Sequence, residues 1–275
     1  MCTIVTGAGG SIGSSITRAL AAQGKWVIMA CRNVGKDTPL RDALNAECPG
    51  RVSIMQLDLA SLDSVAAFVR RIKEDGIVVD ALINNAGIMC KHFGTTQDGY
   101  ETTIGVNFVG TYLLTRLLLP YIKDGGNIVF TTSVTRYIGT VDKNFYNLTS
   151  ENYGRFKSYS RSKLATTLLT AYLADSLSSR GICVNAADPG VVDSGMIHMD
   201  AWFDPLADRF FRPVISTPDE GAQGALAAAE TQETGAIFQK KKCHPIPARL
   251  RQHRYASWLF EETERRLSPW LQEKT

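Results

Sequence analysis

The sequence has no Cys-x-x-Cys pair, no cysteine and histidine cluster, no run of about 18 uninterrupted apolar residues and no basic-then-apolar leader. Each absence removes a class. Six cysteines at positions 2, 31, 48, 90, 183 and 243, with four histidines at no ligand-like spacing, argue against a metal site and for reduced, structural thiols. Without a spanning run or a secretory leader, neither a transmembrane segment nor export is expected, and the cytoplasm is the expected setting. The first strand pattern begins almost at residue 1, so no N-terminal membrane anchor is expected either. Lys+Arg 30 against Asp+Glu 27 leaves a net charge of +3, too small a surplus to imply a nucleic-acid partner through phosphate neutralisation.

What is present is an ordinary globular composition, 44% hydrophobic and 21% charged over 275 residues, enough apolar material for a sizeable core. Short β-branched runs alternate with longer helical patterns, the mark of repeated βαβ units. Strands are expected at Cys2 to Thr6, Trp26 to Ala30, Val52 to Gln56, Ala81 to Asn84, Asn127 to Thr132, Cys183 to Ala187 and Gly235 to Phe238. Most are nearly continuous apolar runs, as strands buried on both faces are. Helices are expected at Ile12 to Gln23, Pro39 to Cys48, Leu62 to Glu74, Tyr100 to Lys123, Asn152 to Ser179, Pro218 to Glu230 and Tyr255 to Leu271. The expected fold is therefore α/β: one Rossmann-type doubly wound domain over residues 1–275, a mainly parallel seven-stranded sheet with helices on both faces. A Met- and aromatic-rich stretch, about 193–216, is the expected substrate loop. A basic tail and closing helix follow over about 239–271.

Thr6 to Gly13 reads TGAGGSIG, directly after the first strand and before the first helix. Glycines there permit a tight turn and close backbone approach, while the helix N-terminus favours negative charge, so Gly7, Gly10, Ser11, Ile12 and Gly13 are candidates to cradle a pyrophosphate. The second strand then ends in Ala30, Cys31, Arg32, with no acid to read a ribose 2′-hydroxyl before Asp37. Arg32 about 4 Å from a 2′-phosphate is worth roughly 1 to 4 kcal/mol per charge pair, which points to NADP(H) over NAD(H). A solvated surface arginine is the competing reading.

Tyr159 and Lys163 stand four apart in Tyr-Ser-Arg-Ser-Lys within a helical stretch, so their side chains share one face. A neighbouring ammonium would stabilise the anion of a phenol whose ordinary pKa is about 10. Asn85-Ala86-Gly87 closes the fourth strand, Asn107 follows in VNFVG, and Ser133 ends the fifth in IVFTTS.

In this order the motifs resemble the short-chain dehydrogenase/reductase family. LDLASL at 57 to 62, YSRSKLA at 159 to 165 and DPGVV at 188 to 192 are most similar to its retinol-dehydrogenase-like branch. So is the separation of Ser133 from Tyr159, 159 − 133 = 26, about twice the common family spacing. The resemblance implies that Ser133 holds the substrate oxygen, Tyr159 is the acid or base, and Lys163 binds the cofactor ribose and tunes Tyr159. It further implies that Asn107 positions a relay water, that Asp58 and Leu59 meet the adenine, that Asn85, Ala86 and Gly87 line the cofactor, and that Pro189, Gly190 and Val192 cover the nicotinamide amide. Homo-oligomerisation through the long helices is implied as well. Arg136 departs from the branch, standing where histidine is common. The glycine loop also fits TGxxGxxG, the spacing of the epimerase-like branch.

The implied function is NADP(H)-dependent interconversion of a carbonyl and an alcohol. Arg136, Tyr137, Tyr146, Met196, Trp202 and Phe203 are the substrate candidates; the Met and aromatic members suggest a lipophilic or aromatic substrate, whereas Arg136 could instead meet a carboxylate. Plain core packing is the alternative for the aromatics. Two further alternatives are an NADP(H)-sensing binding protein without turnover, and epimerase- or dehydratase-like chemistry, for which 275 residues leave little room for a larger substrate domain. The cations from Lys240 to Arg254 could touch an anionic membrane, or simply form a solvated surface.

Overall fold

The computed structural model describes residues 2–190 and 216–272. Strands β1 (Cys2–Thr6), β2 (Trp26–Cys31), β3 (Val52–Gln56), β4 (Val79–Asn84), β5 (Ile122–Thr131), β6 (Cys183–Asp188), β7 (Ala236–Gln239) and β8 (Lys242–Pro245) form one sheet in the order β3-β2-β1-β4-β5-β6-β7-β8. The first seven are parallel and β8 pairs antiparallel with β7. The expected seven-stranded sheet thus gains an eighth strand, inside what reads in the sequence as a basic tail. Lys242–Pro245 carries no apolar alternation because all four residues are exposed. A lysine on a short edge strand costs little and discourages pairing with other chains.

The helices are α1 (Ser11–Ala22), α2 (Val34–Glu47), α3 (Leu62–Glu74), α4 (Thr102–Tyr121), α5 (Arg155–Ser176), α6 (Pro218–Ala229) and α7 (Ala256–Gln272). Helix α2 begins five residues before the expected Pro39, because the Asn33 side chain accepts the Lys36 N–H at 3.0 Å and caps it. Helix α3 shows the ordinary logic in full. Ser61 caps it, Leu62, Val65, Phe68, Val69 and Ile72 form its buried stripe, and Arg71 and Lys73 stand at its negative end.

The core lies on both sheet faces, as strand periodicity requires. Ile4, Leu82 and Ile128 point to one face with Phe108, Leu113 and Leu168. Their neighbours Val5, Ile83 and Val129 point to the other, with Ile16, Leu20, Ala222 and Ala225. Helix α4 is long and apolar enough to cross a membrane by length and composition, but 89% of its most apolar window is buried against this core. Its middle, Gly105–Gly110, winds as a π-helix.

The chain runs outward from β1 to β2 and β3, then returns to place β4 on the other side of β1. That reversal opens a crevice at the carboxyl ends of β1 and β4, where open α/β sheets bind ligands.

Candidate active site

A cleft of about 390 Å³ occupies the reversal, lined by the glycine loop, the ends of β2 and β3, and Asn85 to Ile88. Gly7 has φ +62°, and a Cβ there would press on Ala86. At Gly13 a Cβ would run into the Gly7 carbonyl oxygen, which is why the first turn of α1 can sit so close to the loop. Asn85 Nδ2 donates to the Thr6 carbonyl oxygen at 2.9 Å, and the Ala86 N–H donates to Thr6 Oγ1 at 3.0 Å. These bonds tie the end of β4 to the glycine turn. Helix α1 starts at Gly10 without a side-chain cap and without an acid in its first turn. Its N-terminus thus brings free N–H groups to the cleft with no acid of its own first turn, which suits an anionic pyrophosphate.

The far end of the cleft carries both expected and unexpected residues. Arg32, Asp58 and Leu59 line the cleft, together with Gly9, Asn33, Lys36, Asp37 and Ile88, which sequence reasoning missed. Lys36 was findable, as the next cation after Arg32, in the first turn of α2. Asp37 packs against Gly9 and lies beside the Cys31 thiol. Burial, reinforced by Asp37, pushes that thiol up to about 12, so Cys31 stays protonated. Asp58 Oδ1 accepts the Ala60 N–H at 2.9 Å, fixing the turn before α3.

Ser133 follows β5, its Oγ accepting the Thr135 N–H at 3.3 Å, and Tyr159 stands beside it on the facing helix α5. Burial raises the phenol to about 12; the neighbouring Ser133 hydroxyl opposes that shift and the Asp188 carboxylate adds to it. Lys163 Nζ lies 5.5 Å from the centre of the Tyr159 ring and donates to the Thr131 carbonyl oxygen at 2.8 Å. Its side chain reaches the floor of the cleft at Gly87, where a Cβ would stand 3.3 Å from Nζ. Burial lowers this ammonium to about 8, an effect that Asp188 partly offsets. A buried cation beside the cleft suits ribose hydroxyls, so the residues present fit a nicotinamide dinucleotide at both ends.

Asn107 sits in the π-helical turn of α4. Its Oδ1 accepts the Ile88 N–H and its Nδ2 donates to the Ile88 carbonyl oxygen, both at 2.8 Å, and Nδ2 also donates to Ser162 Oγ at 3.0 Å. The side chain therefore clamps the cleft-lining backbone at Ile88 to α5. An irregular turn at this point is the kind of departure that marks functional sites.

Other candidates do not come together here. Arg136 is buried and its Nη1 pairs with Asp188 Oδ2 at 2.6 Å, so its charge is already met within the fold. Tyr146 bonds Thr263 of α7 at 2.5 Å and packs edge-on against Tyr100 and Phe145, which makes it part of the core. Core packing outweighs its aromatic character as a substrate signal. Tyr137 is exposed on the turn after Ser133, between the guanidinium groups of Arg136 and Arg249. Pro189 and Gly190 follow β6, and Gly190 takes φ +73° as its N–H bonds Asp188 Oδ1. Val192, Met196, Trp202 and Phe203 lie outside the described residues. In the basic run, Lys240 reaches Glu220, and Arg251 reaches Asp175 and the Gly235 carbonyl, so part of that charge is spent within the fold.

The short chain dehydrogenase family model matches residues 1–201. This chain belongs to the short-chain dehydrogenase family. It is 38% identical over 258 residues to the polyprenol dehydrogenase of Mus musculus, covering 89% of this chain and 76% of that one. It is 36% identical over 265 residues to the retinol dehydrogenase 12 of Homo sapiens, covering 94% and 83%. Among solved structures, an uncharacterized protein from Mycobacterium Paratuberculosis superposes with a TM-score of 0.76 at 30% identity, covering 97% of this chain and 93% of that one. A short chain dehydrogenase from Burkholderia cenocepacia J2315 in complex with NADP gives 0.67 at 26% identity, covering 84% and 90%. This short-chain dehydrogenase is thus an oxidoreductase of the retinol-dehydrogenase-like branch, a family that uses nicotinamide cofactors.

Proposed function

We propose that this short-chain dehydrogenase interconverts a lipophilic carbonyl and its alcohol with NADP(H). The observation that carries the reading is the convergence of Ser133, Tyr159 and Lys163 at the carboxyl edge of the sheet, beside a cleft that suits a dinucleotide. The dinucleotide, when bound, supplies or accepts the hydride. In the reducing direction Ser133 Oγ holds the carbonyl oxygen and Tyr159 Oη gives it a proton; in the oxidising direction Tyr159 takes that proton back. Lys163 Nζ orients the ribose and, as a cation, favours the phenolate form of Tyr159. Asn107 keeps the Ile88 backbone in place at the floor of the cleft.

Arg32 and Lys36 both line the end where a 2′-phosphate would lie, and the acid nearest to them, Asp37, is engaged with Cys31 and Gly9. Two cations facing one phosphate support NADP(H). The lipophilic substrate is supported by Val134, Tyr137 and Ile138, which stand exposed immediately after Ser133, and by the names of the relatives, a polyprenol and a retinol dehydrogenase.

The test is a panel of aldehydes and ketones, from small polar ketones to long-chain and aromatic aldehydes, followed by loss of NADPH absorbance. Apolar carbonyls are expected to turn over fastest. Preference for small polar ketones would overturn the lipophilic assignment. NADPH binding without turnover of any carbonyl would favour a sensor.

A further inference from the structure

Arg136 is drawn away from the substrate and into the structure behind the catalytic residues. Arg136 and Asp188 leave only 3% and 2% of their side chains exposed. The same Nη1 that meets Asp188 Oδ2 at 2.6 Å also donates to the Ser133 carbonyl oxygen at 2.8 Å. Asp188 in turn accepts the Gly190 N–H through Oδ1 at 3.1 Å and a longer bond from Gln239 Nε2 at 3.4 Å. The pair thus ties the turn that carries Ser133 to the end of β6.

A salt bridge this deep gains stability only if its geometry offsets the cost of taking two charges out of water. Its position says more than its strength. The carboxylate lies close enough to Tyr159 to disfavour the phenolate, and to Lys163 to favour the ammonium. Among the described residues, the charged groups around the phenol are Lys163 on its own helix, Asp188 at the end of β6, and Arg136 after β5, with the Ser133 hydroxyl as the phenol's polar neighbour. Lys163 and Asp188 act on the phenolate with opposite signs. Arg136 holds that carboxylate in an ion pair.

We propose that Arg136 is a positioning residue for the oxidoreduction: it neutralises Asp188 behind Tyr159, so that the phenol can ionise at working pH, and it holds the backbone of Ser133 in register. The inference rests on the proposed role of Tyr159 as the acid or base. Removing the guanidinium charge would leave a buried, uncompensated carboxylate facing the phenol, and the phenolate would form only at higher pH. Oxidation, which needs the phenolate, would suffer more than reduction, which needs the phenol.

The experiment measures the pH profile of kcat/KM for alcohol oxidation with NADP+ in the wild type, R136Q, R136K, D188N and R136Q/D188N, with NADPH binding as the check of folding. R136Q is expected to move the acidic limb up by about one pH unit, about tenfold less activity at a pH on that limb. R136K is expected to keep the limb near its wild-type position whatever it does to kcat. D188N is expected to move it down, and R136Q/D188N to bring it back toward the wild type. If R136Q does not fold, D188N and the double variant carry the test. The inference is overturned if the limb stays put in every variant that folds, or if R136K shifts it as far as R136Q. A wild type that binds NADPH but oxidises no alcohol and reduces no carbonyl would instead defeat the reading of Tyr159 itself.

Discussion

Lys163 Nζ sits 5.5 Å from the ring centre of Tyr159, one helical turn along α5, with a hydrogen bond to the Thr131 carbonyl oxygen holding it there. The ammonium lies alongside the phenol ring, and the Ser133 hydroxyl is the phenol's polar neighbour. Tyr159→Phe is expected to lower kcat/KM by about 10²- to 10⁴-fold, the ordinary worth of a positioned acid or base, while NADPH binding by fluorescence titration stays within a few-fold of wild type. Equal losses in binding and turnover would place Tyr159 outside the chemistry.

The direction of pH dependence follows from the phenol. Burial holds Tyr159 at about 12 before any cofactor charge acts on it, and a bound oxidised ring together with Lys163 brings that value down. Oxidation is therefore expected to accelerate from neutral into alkaline pH, and reduction to stay level and then fall. Parallel profiles in the two directions would contradict this, as would oxidation that is fastest in acid.

Lys163 also leaves a mark on stability. Its folded value of about 8 lies below the ordinary 10.5, so between those two values the unfolded chain binds more protons and stability rises with pH. The contribution is present above 10.5 and is lost as the pH falls through about 8. At neutral pH the buried ammonium is a net cost. Lys163→Met is expected to raise the unfolding free energy by about 1 to 3 kcal/mol near neutral pH, with the gain disappearing in alkali, even as activity is lost. Denaturant melts at two pH values check it, and an unchanged or lowered stability at both would contradict it.

Arg32→Ala is expected to weaken NADPH binding by about tenfold to a thousandfold and to leave NADH binding nearly unchanged. Lys36→Ala is expected to act in the same direction. The check is the ratio of the two dissociation constants at one ionic strength, because salt screens an exposed phosphate contact. Equal loss for both cofactors would mean that neither cation reads the 2′-phosphate.

Much of this was legible in the residues. The buried runs of β1, β2 and β6 leave few alternatives to a parallel sheet, and the glycine loop stands where strand gives way to helix. Tyr159 and Lys163 share a face because four residues make about one helical turn. Other features were not legible, and for identifiable reasons. Strand β8 has no alternation because both of its faces meet solvent. The π-helical turn at Asn107 depends on tertiary packing, with Gly110 pressed against the Leu59 carbonyl. The misplacement of Arg136 and Tyr146 has a common origin. Charge and aromaticity announce a capacity to bind without saying to what, and here the partners are Asp188, 52 positions away, and Thr263, 117 positions away.

The central claim is hydride transfer to a lipophilic carbonyl under control of Tyr159. Its most direct test uses NADPH deuterated at the transferring C4 position, with a long-chain or aromatic aldehyde that turns over, and reads the alcohol by mass spectrometry. One deuterium at the carbinol carbon in the wild type, with product lost in Tyr159→Phe although NADPH still binds, is the expected result. Alcohol formed without deuterium from either face of the labelled cofactor, or formed equally well by Tyr159→Phe, would contradict it.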